Sequence, residues 1–170
     1  MNKHLLYLCA LTTMGFSQIL WGQEQVTSRS YQAMLNTMLS HSVEEIAVDS
    51  LKDRLGDFTF LDAREEKEFA VSHLPAAIHV GYEAFDSTQV ASLDRDTPLV
   101  VYCSIGYRSE KIAERLMDMG FSEVYNLYGG IFEWVNQGNE VINTGQATDS
   151  VHAYSKLWGI WLKSGVKVYD

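Results

Sequence analysis

The chain has 170 residues, 46% hydrophobic and 21% charged, with a net charge of −9. That length suits one compact domain with additions, and the acidic balance argues against nucleic acid or an anionic membrane surface as a partner. An anionic small substrate would need a local positive pocket, because the overall field repels it.

Residues 1–22 read as a secretory signal. Lys3 and His4 form a short polar start, Leu5 to Leu20 carry no charge, and Gly22 before Gln23 is a plausible cleavage point. The stretch is too short and too polar for a membrane span, and Cys9 lacks the small residues that precede a lipidated cysteine, so no stable membrane anchor is expected. A buried N-terminal helix is the alternative. The protein is therefore expected to be exported, to a periplasm or to the medium. Removing this leader takes its one charge, Lys3, and moves the net charge from −9 to −10. It also removes Cys9 and leaves Cys103 as the only cysteine, which forbids an internal disulfide. One cysteine and scattered histidines give no metal-ligand cluster, and no cofactor is expected.

Residues 23–41 form a lead-in. Its apolar positions Tyr31, Met34, Leu35, Met38 and Leu39 recur at helical spacing. Ile46 to Val48 reads as a first strand and Ser50 to Leu55 as a helical turn or two, with Gly56 as stop. Phe58 to Leu61 is a second strand, followed at once by Asp62-Ala63-Arg64. Glu65 to Ala70 reads as a short helix, Ala77 to Val80 as a brief strand and Glu83 to Leu93 as a weak helix. Leu99 to Tyr102 is apolar throughout, as a buried strand is. A helix starts at Tyr107, with Ile112, Ala113, Leu116 and Met117 as its apolar stripe. Val124 to Leu127 is another strand, and Ile131 to Asn136 a final short helix. Short apolar strands alternating with helices give an α/β fold: a central, mostly parallel, five-stranded sheet with helices on both faces. Ligands bind such sheets beyond the C-terminal strand ends, and Asp62, Arg64 and Cys103 all follow strands, so they should share one rim.

Residues 139–170 differ in texture. Trp158 and Trp161, three apart, share one face of a helix. The simpler reading is an aromatic arm that clamps the domain; the sharper one is a patch for a partner. His152 reads as a packed or surface histidine.

Cys103 is the candidate nucleophile. It sits between a strand and a helix start, where unpaired N–H groups carry partial positive charge. A thiol held there ionises more easily, Gly106 lets the loop curl tightly, and Arg108 adds a fixed charge. The plain alternative is a buried, inert cysteine.

These residues resemble a single-domain rhodanese, a sulfurtransferase homology domain, over 42–138. Three motifs carry the likeness. Phe60-Leu61-Asp62-Ala63-Arg64 with Glu68-Phe69 and His73-Leu74-Pro75-Ala76-Ala77 resembles the family's Asp-x-Arg and His-Ile-Pro-Gly-Ala elements, with Ala76 where the family has glycine. Cys103-Ser104-Ile105-Gly106-Tyr107-Arg108 is similar to its six-residue active loop. Gly120-Phe121 through Val124, Leu127, Gly129-Gly130 and Trp134 resembles the domain's end. The resemblance implies that Cys103 takes sulfane sulfur from a small anionic donor such as thiosulfate. The Cys103 persulfide then passes that sulfur to cyanide, a thiol or an unknown protein acceptor. It implies that Ser104 to Arg108 bind the persulfide and that Asp62 braces the rim. Arg64 is expected to pair with a carboxylate, Glu68 being the expected partner, and His73 is expected to be structural. Thiosulfate-selective loops of the family place a cation just after the cysteine. Ser104 and Ile105 are neutral, so Arg108 is expected to meet the sulfonate instead. A non-catalytic sulfur carrier or binding module is the alternative. A phosphatase or arsenate reductase is remote, because its loop needs five residues between cysteine and arginine, and here four intervene.

Overall fold

Short runs rich in Val, Leu and Phe assemble the centre of the computed structural model, which describes residues 26–170. β1 (Glu44–Ile46), β2 (Thr59–Asp62), β3 (Ile78–His79), β4 (Leu99–Tyr102) and β5 (Val124–Leu127) form one sheet in the order β1-β5-β4-β2-β3, and every pairing is parallel. All four residues of β4 are buried, as a parallel strand covered on both faces requires. β1 begins two residues earlier than the sequence suggests: Val48 opens a 3-10 turn, Val48–Leu51, and buries its side chain there. The signal segment, residues 1–22, and Cys9 lie outside the described residues.

The strand period of two splits the core between two faces. Phe60, Val100 and Tyr102 face α1 (Arg29–Met38) and α4 (Gly130–Asn136), meeting Tyr31, Leu35, Ile131 and Phe132. Leu61, Leu99 and Val101 face α3 (Tyr107–Asp118) and meet Ile112, Ala113 and Leu116. Ile112 and Leu116 are fully buried, each worth roughly 1.5–3 kcal/mol against exposure. α2 (Glu66–Val71) follows β2. The helix expected over Glu83 to Leu93 shrinks to a 3-10 turn at Ser87–Val90, where only Val90 is buried; four residues with one apolar anchor cannot sustain an α-helix.

Two buried acids hold the lead-in. Glu133 of α4 accepts from the Thr27 amide at 2.7 Å, and Glu110 of α3 accepts from the Ser40 and Ser42 amides at 3.0 and 3.2 Å. α1 is thus fixed at both ends. Among the described residues no helix is long and apolar enough to cross a membrane.

Residues 139–170 are more structured than an arm. β6 (Val141–Asn143) and β7 (Gln146–Thr148) form a hairpin, and β8 (Ser150–His152) pairs in parallel with β9 (Val166–Val168). Trp158–Trp161 is a single 3-10 turn rather than the expected helix. Both tryptophans are half-buried on the α1–α4 core, and Trp161 stacks on Tyr31 with centroids 5.2 Å apart. His152 is buried, its Nδ1 accepting from the Tyr154 amide at 3.1 Å and its Nε2 lying 2.9 Å from Asp170.

Candidate active site

Parallel strands end on one side, so β2 and β4 deliver their following residues to one rim. Asp62 lies opposite Tyr102 in register, and Cys103 follows Tyr102. Cys103, Ser104, Ile105 and Gly106 form the loop that enters α3 at Tyr107. Gly106 caps α3 at φ 118°, a conformation that side chains resist. Its amide donates to Cys103 Sγ at 3.2 Å.

The loop's carbonyls are occupied elsewhere. The Ile131 amide donates to Cys103 O at 2.9 Å, and the Phe132 amide to Ser104 O at 3.2 Å, both from the first turn of α4. Gly106 O accepts from Asn126 Nδ2 at 3.0 Å, from the Glu110 amide at 3.1 Å and stands 3.1 Å from Ser109 Oγ. Ser109 Oγ is also 2.7 Å from Asn126 Oδ1. Three of the four carbonyls from Cys103 to Gly106 thus bond away from the sulfur, which leaves its surroundings fit to hold negative charge. The close approach of α4 depends on Gly130, where a Cβ would stand 2.7 Å from the Ser104 carbonyl carbon.

Arg108 does not stand free. Its Nη1 and Nη2 grip Glu68 at 2.6 and 2.8 Å, and Nη2 reaches Ser104 Oγ at 3.0 Å. Ser104 Oγ in turn donates to Glu68 Oε1 at 3.1 Å. Burial pushes the Glu68 carboxyl up, but hydrogen bonds and charge from Arg108, the Glu65 amide and the charge of Arg64 outweigh it and hold it below the ordinary glutamate range. Burial alone would lower Arg108; the bond to Glu68, then the charges of Cys103 and Glu68, raise it instead.

This corrects the expected pairing. Arg64 does not pair with Glu68: it takes Asp62, with Nη2 at 2.6 Å and Nε at 2.9 and 3.1 Å from the two carboxylate oxygens. Nη2 also donates to Ser72 O at 2.6 Å. The family resemblance pointed to Glu68, but β2 ends with Asp62 already beside the Arg64 backbone, its Oδ1 accepting from the Arg64 amide at 2.9 Å. Burial would lower the Arg64 guanidinium, and the charge and hydrogen bonds of Asp62 raise it well above. Asp62 and Arg64 are completely buried and do not reach the pocket. His73 Nδ1 lies 3.1 Å from Phe69 O, the ring stacks on Phe69 at 3.9 Å, and the backbone pairs with Ile142; the side chain does not line the cavity.

Cys103, 1% exposed, forms part of the lining of an open cavity of about 490 Å³. Ser104, Ile105, Tyr107 and Arg108 line it beside the sulfur, Glu65, Tyr82 and Glu83 complete one side, and Met38, Tyr154 and Trp158 another. The last three come from the lead-in and the C-terminal segment. Periodicity could not find them, because their role arises only when segments distant in sequence close over the rim. Asn126, on β5, was missed for the same reason, and with it the bond it makes to Ser109. Among the described residues no cluster of His, Cys, Asp and Glu could hold a metal ion.

The family model described as Rhodanese-like domain matches residues 47–137. A thiosulfate sulfurtransferase GlpE of Coxiella burnetii is 31% identical over 78 residues, 46% of this chain and 72% of the relative. A sulfurtransferase of Allochromatium vinosum is 31% identical over 103 residues, 59% of this chain and 95% of the relative. Among solved structures, a rhodanese-like domain protein of Staphylococcus aureus aligns with a TM-score of 0.52 at 24% identity, covering 60% of this chain and 99% of that one, a likeness of fold.

Proposed function

This chain belongs to the rhodanese-like domain family, and from that membership we propose that it is a sulfurtransferase working through a persulfide on Cys103. The observation that carries the reading is the sulfur itself: it lines a cavity at the sheet's rim, accepts the Gly106 amide at 3.2 Å and has its loop carbonyls turned to other partners. Two relatives are named thiosulfate sulfurtransferase and sulfurtransferase.

In the first step the Cys103 thiolate attacks the outer sulfur of a donor such as thiosulfate. The Sγ–S bond forms, the donor's S–S bond breaks, and sulfite leaves with the bonding pair. In the second, a thiolate or cyanide attacks the sulfane sulfur; the Sγ–S bond breaks and Cys103 regains its thiolate. Negative charge sits on a sulfur beside the loop in both resting states, so the same amide serves each. Glu68 and Ser104 hold Arg108 against the loop and keep the chamber's shape. We further propose that residues 1–22 export the protein, on the strength of their uncharged stretch behind Lys3; cell fractionation tests it, with a cytoplasmic location as the failing result.

Intact mass after incubation with thiosulfate is the deciding experiment. A gain of one sulfur on the peptide carrying Cys103, absent from Cys103→Ser, with thiocyanate released on adding cyanide, is the expected outcome. Stoichiometric loading without turnover would assign a carrier instead, and no loading would sink the reading.

A further inference from the structure

Resting on the persulfide reading, we propose that the chamber selects its sulfur acceptor: a small thiol with an apolar body and a neutral or ammonium-bearing headgroup, with Tyr154, Trp158 and Glu83 as the specificity-determining residues.

Three observations meet here. Among the described residues the one cation of the lining, Arg108, is already matched by the bidentate Glu68, while Glu65 and Glu83 add two carboxylates to the walls. Among the described residues the chamber therefore offers the far end of an incoming acceptor no side-chain cation free of a carboxylate, and the Gly106 amide serves only the sulfur at its floor. Second, the remaining walls are apolar or aromatic, and Tyr154 and Trp158 lie beyond the residues that match the family model. Third, Tyr154 adopts φ 62°, a left-handed backbone that is a genuine outlier for a bulky residue. It is held there by its backbone N–H, which donates to Nδ1 of buried His152 at 3.1 Å, and its ring covers the Arg108 guanidinium at 5.0 Å. Such strain persists only where the surroundings impose it, and it gathers at sites of use. The strained residue brings an aromatic face onto Arg108, the cation that could have welcomed an anionic acceptor.

The acceptor step is the one written above: the acceptor thiolate bonds to the sulfane sulfur, the Sγ–S bond breaks, and the acceptor leaves as a persulfide. A thiolate whose far end carries an ammonium group enters as a neutral zwitterion, whereas a carboxylate-bearing thiolate enters as a dianion against Glu65 and Glu83.

The test loads Cys103 with sulfur and measures single-turnover discharge to 2-aminoethanethiol, 2-mercaptoethanol, 3-mercaptopropionate and benzyl mercaptan. Each rate is corrected for thiolate fraction and divided by that thiol's rate with a small free persulfide. The expected order is aminothiol, then neutral thiol, then acid, spanning on the order of tenfold for two partly screened charges. Glu83→Gln should narrow that span about threefold. Tyr154→Gly, which tolerates the left-handed backbone, and Trp158→Ala should each lower the advantage of benzyl mercaptan over 2-mercaptoethanol. An acid discharging as fast as the aminothiol, or ratios unmoved in all three variants, would overturn the selection while leaving the persulfide intact. Failure of Cys103 to load at all would overturn both.

Discussion

Two arginine–carboxylate clamps sit a few residues from the same rim, with nearly the same bond lengths and opposite fates. Arg64–Asp62 is sealed: both side chains are 0% exposed, and the guanidinium lies 5.7 Å over the Tyr102 ring. Arg108–Glu68 keeps its carboxylate buried but leaves the arginine 13% exposed, on the wall of the cysteine chamber. The sealed clamp ties the end of β2 to the loop at Ser72, and neither of its side chains lines the cavity. The open one joins α2 to the cysteine loop through Ser104. The same pair of groups is framework in one place and chamber wall in the other, and burial alone separates them.

The sharpest way to break this contrast is Asp62→Ala. It leaves a guanidinium charged, buried and unpaired, and denaturant unfolding should show a loss of about 3–5 kcal/mol. Replacing both partners, Asp62→Leu with Arg64→Met, should recover most of that; a single variant costing under about 1 kcal/mol would deny the clamp its bracing role. Glu68→Gln should cost less, about 1–3 kcal/mol, because Arg108 can turn toward water. It should also lower the KM for thiosulfate severalfold by freeing the cation, and an unchanged or raised KM would show that Arg108 was never masked.

Acid sharpens the same comparison. Glu68 is held below its ordinary value of 4.5 when folded, so its contribution is fully present above that pH and fades as pH falls through the lower folded value. Stability of the parent should drop more steeply below about pH 4.5 than that of Glu68→Gln; superimposable curves would contradict the ion pair. The smallest effect belongs to Arg108→Lys. The charge stays, but the two-pronged grip and the broad contact with Tyr154 go, for under about 1 kcal/mol and less than a twofold change in thiosulfate KM.

Much of this was readable in advance where the signal is local. Four residues of unbroken apolar character announced β4, and a glycine three residues past the cysteine announced the tight loop. Pairing was not readable, because the family resemblance says which carboxylates exist but not which the sheet end already holds; Asp62 wins Arg64 through a backbone bond that no periodicity encodes. Glu83 to Leu93 offered only a weak helical pattern, and the turn at Ser87–Val90 buries too little to make it a helix. Residues 139–170 showed their aromatics but not their hairpin or paired strands, since three-residue strands lie below the length at which alternation is legible.

The grip of α4 on the cysteine loop has a consequence for how the protein is made. Ribosomes finish Cys103 and Ser104 before they add Ile131 and Phe132, whose amides hold those two carbonyls. A nascent chain that has not yet emerged past residue 132 thus exposes a thiol on unshaped polypeptide, with the chemistry of any free cysteine. The loop takes its shape late in synthesis, when Gly130 brings its helix against it, so an interrupted translation product carries the cysteine but not the cavity it lines.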